Sequence, residues 1–319
     1  MGAPALLIVG HGSRSQEGAD EFLGFVARVR ERAPHLAVGG GFIELARPPI
    51  GEEVARLVEE GARRLVAVPL MLLLAGHAKD DIPATLARER LRHPGVEIAY
   101  GRELGVRPEL LALIERRIGE VVAPEEIPET AVVIVGRGTT DPDANGDLAK
   151  IARLFYEGRA HPLVEPAFVS LAPPSVQQAL ERCRLLGARR VVVVPYFLFT
   201  GILERRIREQ AADYAARAGI EVRVTRWFGA DEAVIDLVLE RYREALEGDV
   251  RMNCDVCVHR VALPGFEAKV GAPATPHHHP DEDGDGGHHH HGHDDHHHHH
   301  APHPNDARFA ARVEPAPVE

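Results

Sequence analysis

His11 stands between Gly10 and Gly12, on a turn whose small neighbours let a ligand come close to the backbone. Glu44 closes the apolar run Gly41-Phe42-Ile43, and His77 follows Gly76 after the apolar stretch Leu65–Leu74. Two imidazoles and a carboxylate brought to one place would hold a divalent first-row metal, and either imidazole could accept a proton near neutral pH. Taken singly, each residue has a plainer explanation. His11 would be a packing residue in a glycine-rich turn, Glu44 a solvated strand end and His77 a helix cap.

The elements around these residues are those that bring strand ends together. Apolar runs of strand length at Leu6–Val9, Val38–Leu45, Leu65–Leu74 and Val96–Tyr100 alternate with stretches of helical period at Glu17–Arg32, Ile50–Gly61, Asp80–Arg92 and Pro108–Val121. That alternation predicts βαβ units and a parallel sheet. Open parallel sheets bind ligands in the crevice beyond the carboxyl ends of their strands, where His11, Glu44 and His77 fall.

The chain then repeats itself. Ala5-Leu-Leu-Ile-Val-Gly-His-Gly-Ser13 returns as Ala131-Val-Val-Ile-Val-Gly-Arg-Gly-Thr139, a shift of 126 residues. The same shift carries Phe42–Ala46 onto Phe168–Ala172 and Gly61–Pro69 onto Gly187–Pro195. The period is far longer than a solenoid repeat, so these are two copies of one domain, each with about four strands and four helices. Copy two keeps the glycine, strand and proline frame but places Arg137, Ser170 and Leu203 (or Ile202, if one residue is gapped) where copy one has His11, Glu44 and His77. The frame therefore does not require those three side chains, and chemistry is the remaining reason to hold them. The expected architecture is α/β, with two tandem four-stranded parallel sheets flanked by helices, at 1–124 and 125–248. A Cys-x-x-Cys segment at 249–270 and a disordered tail at 271–319 follow.

Composition sets the limits. The 319 residues carry 37 Lys and Arg, 48 Asp and Glu and 20 His, for a formal charge of −11. Fourteen of those histidines lie between His277 and His303. The tail alone contributes −7 to the charge, leaving residues 1–270 at −4 without a basic stripe, which argues against nucleic acid as a partner. No apolar run reaches the roughly 18 residues of a membrane span. Met1–Val9 lacks a basic start and a cleavage site, so it reads as a first strand rather than a signal peptide. Three cysteines cannot build a disulfide framework, which fits a cytoplasmic protein.

No Gly-x-x-x-x-Gly-Lys-Ser/Thr loop occurs, so no P-loop nucleotide is expected, and Gly10-His-Gly-Ser-Arg14 departs from the dinucleotide-binding pattern at Ser15. Ser13 lacks a nucleophile elbow. The opening Val9-Gly-His-Gly-Ser-Arg14, the block from Pro69 through Gly76-His77 to Asp81-Ile-Pro83, and Arg137-Gly-Thr-Thr-Asp-Pro-Asp-Ala-Asn145 together resemble the sirohydrochlorin cobaltochelatases of the CbiX type, class II chelatases. The resemblance covers the chain to about Leu246 and extends to the Met252–Arg260 and His-rich segments of the long forms. It implies a lyase-type enzyme that inserts Co²⁺ into sirohydrochlorin without ATP, in cobalamin synthesis. Fe²⁺ insertion for sirohaem is the runner-up and Ni²⁺ a third choice. It makes His11, Glu44 and His77 the metal-insertion site. Because sirohydrochlorin is an octacarboxylate, cations should line the cleft, and Ser13, Arg14, Arg47, Lys79 and Arg137 are the expected substrate contacts.

Cys254 and Cys257, with His259 close by, follow a helix at a domain end, which disfavours thioredoxin-like chemistry. In long relatives this region is associated with an iron–sulfur cluster, but a cluster generally takes four thiolates. Two chains of a homodimer giving two each, or histidine completing the set, would satisfy one, while structural zinc or an inert pair are equal alternatives. The clustered imidazoles of the tail would bind Co²⁺, Ni²⁺ and Zn²⁺ by availability, as a reservoir for the site or as a sponge. The reading from a different class is a metal storage or delivery protein that has lost catalysis.

Overall fold

The computed structural model describes residues 4–157 and 159–248. The first half runs β1 (Ala5–Gly10), α1 (Gln16–Arg32), β2 (Val38–Phe42), α2 (Ile50–Glu59), β3 (Arg64–Pro69), α3 (Ile82–Arg92), β4 (Glu97–Tyr100) and α4 (Pro108–Gly119). The second repeats it with β5 (Thr130–Gly136), α5 (Pro142–Glu157), β6 (Val164–Phe168), α6 (Val176–Leu185), β7 (Arg190–Pro195), α7 (Ile202–Ala218), β8 (Glu221–Val224) and α8 (Glu232–Glu247). Each half holds one all-parallel sheet, in the orders β2-β1-β3-β4 and β6-β5-β7-β8.

The central strands β1, β3, β5 and β7 read as near-unbroken apolar runs because helices cover both faces. Alternate residues go to different cores. Leu6, Ile8, Val66 and Val68 share one core with Val132, Ile134, Val192 and Val194 of the other sheet, filled by Phe22 and Phe25 of α1 and Phe155 of α5. Ala5, Leu7 and Val9 face a separate core under α2 and α3, and Ala131, Val133 and Val135 face its counterpart under α6 and α7.

The last helix of each half packs on the other half's sheet, α8 against β3 and α4 against β7. A buried arginine fixes each crossing. Arg117 of α4 donates to the carbonyls of Trp227 (3.1 Å) and Phe228 (2.7 Å). Arg241 of α8, fully buried, donates to those of Glu103 (2.9 Å) and Leu104 (2.8 Å). The exchange is reciprocal, the signature of a twofold relation between the halves.

Two expected strands end early. β3 was expected to reach Leu74 but stops at Pro69, which has no N–H to continue the ladder. Leu70, Leu72 and Leu74 are buried in the connection instead. β2 stops at Phe42, so Glu44 sits on the loop beyond the strand. The helix expected from Asp80 begins three residues sooner, as a π-helical turn at His77–Asp81 that runs into α3. Among the described residues no helix is long and apolar enough to cross a membrane.

Candidate active site

The ends of β1 and β2 are locked face to face. The Glu44 N–H donates to the His11 carbonyl (3.2 Å), and the Ala46 N–H returns to the Glu44 carbonyl (2.8 Å). This closes a tight turn over Leu45 at φ 62°. It presses the Glu44 carbonyl against residue 12, where a Cβ would meet that oxygen at 1.7 Å with φ at +100°, so only glycine fits. Copy two builds the same device from Gly138, Ser170 and Leu171, the last at φ 60°. The frame is thus repeated while its side chains differ. Gly76 and Gly201 begin the matching helices, which makes Ile202, rather than Leu203, the counterpart of His77.

His11, Glu44 and His77 each offer a ligand atom, all within 4.8 Å of one another. Among the described residues this is the one group of His, Cys, Asp and Glu so arranged. His11 Nδ1 lies 3.6 Å from Glu44 Oε1, and the two imidazole rings meet edge to face with centroids 4.4 Å apart. His77 Nδ1 is 2.7 Å from Asp81 Oδ2, one helical turn on. Burial, the neighbouring His77 and the Arg137 guanidinium hold the His11 imidazole down to about 3. His11 is therefore neutral at physiological pH and has a lone pair to give. Arg137 reaches it from the second half, with Nη1 3.2 Å from His11 Nε2.

The cluster opens on a cleft of about 1070 Å³ between the halves. Its lining is largely apolar, with Phe42, Leu72, Phe168, Tyr196 and Phe199 inside, and Leu45 and Leu171 half-exposed or more. Of the expected substrate contacts, Ser13, Arg14 and Arg137 line it. Ser13 Oγ accepts the Ser15 N–H (3.0 Å), and Arg14 is exposed. Arg47 lies outside the lining and pairs with Glu52. Lys79, expected to face a carboxylate of the substrate, is 7 % exposed and held between Asp141 (2.8 Å) and Asp143 (2.6 Å) of the second half. These partners hold its pKa well above that of an ordinary lysine. It ties the halves together. Sequence reasoning passed over Asp81, although its i,i+4 spacing from His77 on a helix was a usable signal. It also passed over the leucines at the cleft mouth, whose placement depends on backbone turns. Cys254, Cys257, His259 and the His-rich tail lie outside the described residues.

Two coupled parallel α/β units with a His-Glu-His cluster on the cleft between them define the chain as a chelatase of the duplicated kind. It belongs to the CbiX family, whose model matches residues 5–121 and again 131–245. It is 39 % identical over 263 residues to a sirohydrochlorin cobaltochelatase of Priestia megaterium, covering 81 % of this chain and 85 % of that one. To a sirohydrochlorin ferrochelatase of the same organism it is 36 % identical over 206 residues, covering 65 % and 77 %. SirB from Bacillus subtilis with Fe³⁺ superposes with a TM-score of 0.69 at 31 % identity, covering 78 % of this chain and 98 % of SirB. The SirB of subspecies spizizenii in complex with cobalt gives a TM-score of 0.66 at 30 % identity, covering 78 % and 97 %.

Proposed function

We propose that this chain inserts Co²⁺ into sirohydrochlorin without ATP, as a step of cobalamin synthesis, in the cytoplasm. In this reading residues 1–124 carry the insertion site and 125–248 enclose the macrocycle. One observation carries the proposal: His11, Glu44 and His77 converge within 4.8 Å beside a large apolar cleft, while the repeated frame does without them in copy two. The larger identity and coverage of the cobaltochelatase favour cobalt, and the similarity to a ferrochelatase makes Fe²⁺ the alternative.

Metallation must take two N–H protons from the pyrroles as the ion loses water and enters the ring. An imidazole held down to about 3 is a poor proton acceptor at neutral pH and a good metal donor, so His11 is assigned to hold the ion. Glu44 and His77, whose Nδ1 faces Asp81, complete the set of ligands and, freed as the ion passes into the ring, are assigned to receive the two protons. The apolar walls suit the flat faces of the macrocycle. Arg14 and Arg137 are assigned to its carboxylate arms, whose binding energy favours a ring bent toward the ion. With so few cations along the lining, most arms would extend from the cleft into water.

For Cys254, Cys257 and His259 the reading is an accessory centre, either zinc or an iron–sulfur cluster completed by a homodimer partner or by histidine, with an inert pair as the equal alternative. The test is the initial rate of metallation of purified sirohydrochlorin by the full chain with Co²⁺, Fe²⁺ or Ni²⁺, with and without ATP. The expected result is turnover with Co²⁺ fastest and no effect of ATP. Binding of metal without turnover for any ion would instead establish a storage or delivery protein.

A further inference from the structure

Residues related by the shift of 126 are His11 and Arg137, and these two touch, Arg137 Nη1 lying 3.2 Å from His11 Nε2. Equivalent residues of a twofold pair meet only close to its axis, so the second half delivers a cation to the metal cluster itself. The chemistry of the contact is constrained. A guanidinium has donors and no acceptor, so it can hydrogen-bond only to a ring nitrogen that carries a lone pair. The other nitrogen, Nδ1, lies 3.3 Å from the Gly12 carbonyl oxygen, which can only accept. His11 is thereby the tautomer with its proton on Nδ1, and Arg137 takes the one lone pair the ring has.

A metal ion cannot share that arrangement. If the ion binds Nε2, it takes the lone pair from Arg137. If it binds Nδ1, the ring proton must move to Nε2, and two N–H groups cannot face each other at 3.2 Å. Arg137 must leave His11 either way. It is exposed, on a long flexible stem, and it lines the cleft that an octacarboxylate would fill. A carboxylate offers the guanidinium a bidentate, charge-paired partner in place of one neutral nitrogen.

We propose that Arg137 is a latch that orders the reaction. It holds the His11 lone pair until a carboxylate of the tetrapyrrole draws it away, so that the metal enters a site that already has its acceptor ring. This rests on the reading of His11, Glu44 and His77 as the insertion site. The order would keep a metal ion from settling on the donors before there is a macrocycle to receive it.

The test compares wild-type full chain, Arg137→Met and His11→Ala in Co²⁺ titrations followed calorimetrically and by visible absorption. The His11→Ala chain reports everything that the tail histidines bind. The latch predicts that Arg137→Met binds Co²⁺ about tenfold more tightly at the His11-dependent site. It also predicts a mixing-order effect in single turnovers. Wild type should metallate faster when sirohydrochlorin is added before Co²⁺, and the variant should lose that dependence while requiring more sirohydrochlorin for half-saturation. Unchanged or weaker Co²⁺ binding by Arg137→Met overturns the latch while leaving the site reading intact. Identical Co²⁺ binding by His11→Ala and wild type overturns the site reading and the latch with it.

Discussion

Asp81 shows what a single side chain adds to the cluster. A carboxylate at 2.7 Å from His77 Nδ1 fixes the ring's tautomer and orientation, the usual arrangement behind a metal-binding histidine. Asp81→Asn keeps the shape and removes the charge, and metal affinity at the site should fall roughly 10- to 100-fold, measured by Co²⁺ titration. His11 makes a prediction about pH. Its imidazole titrates near 3 in the folded chain against 6.5 for a free one, so between those values only the unfolded chain takes up the proton. Stability should therefore fall as pH drops through that window, and Tm measured against pH should fall less steeply for His11→Ala. The three cluster residues were legible in the sequence because the duplicated copy served as an internal control that lacked them. Lys79 was misplaced for a physical reason: its partners Asp141 and Asp143 come from the other half, and a sequence lists cations without showing which are already paired.

At the scale of elements, the turn after β2 matters more than any strand. Gly12 and the carbonyl of Glu44 interlock so closely that a methyl at residue 12 would have to move the segment bearing Glu44. Gly12→Ala should cost about 3 kcal/mol or more in chemical denaturation and lower the metallation rate as well. Gly138→Ala, which meets the Ser170 carbonyl at 1.9 Å in the other half, should cost a similar amount of stability with less effect on the rate. Such positions can be read as glycines in a turn, but the second strand end that makes them obligatory lies some thirty residues away. The alternation of strands and helices along the chain, and the parallel sheet it implies, followed from periodicity. The ends did not: Leu70 adds one last bond to the Val9 carbonyl of β1, and the apolar residues after it continue the hydrophobic run of β3 outside the strand, since a buried loop and a buried strand have the same composition.

The whole molecule is held by what the halves exchange. α4 and α8 hold the same place at the end of each half, and an amphipathic stripe cannot say which of two similar sheets it covers, so the crossing emerges only in three dimensions. Arg117 and Arg241 fasten it through buried carbonyls, and Arg241→Met would leave Glu103 and Leu104 without donors in the shared core. A loss of about 3–5 kcal/mol is expected, with both halves melting in one transition by calorimetry. Two separate transitions would mean that the exchanged helices do not couple the halves. The coupling also gives the site its asymmetry, since one half supplies His11, Glu44 and His77 and the other supplies Arg137. The most direct test of that division is to make matched substitutions in both halves and measure sirohydrochlorin metallation by Co²⁺. Glu44→Gln should lower the rate by about 100-fold, as removal of a proton acceptor does, and Ser170→Ala at the equivalent turn should leave it within about twofold. Equal losses from the two, or full activity in Glu44→Gln, would contradict the assignment of chemistry to the first half.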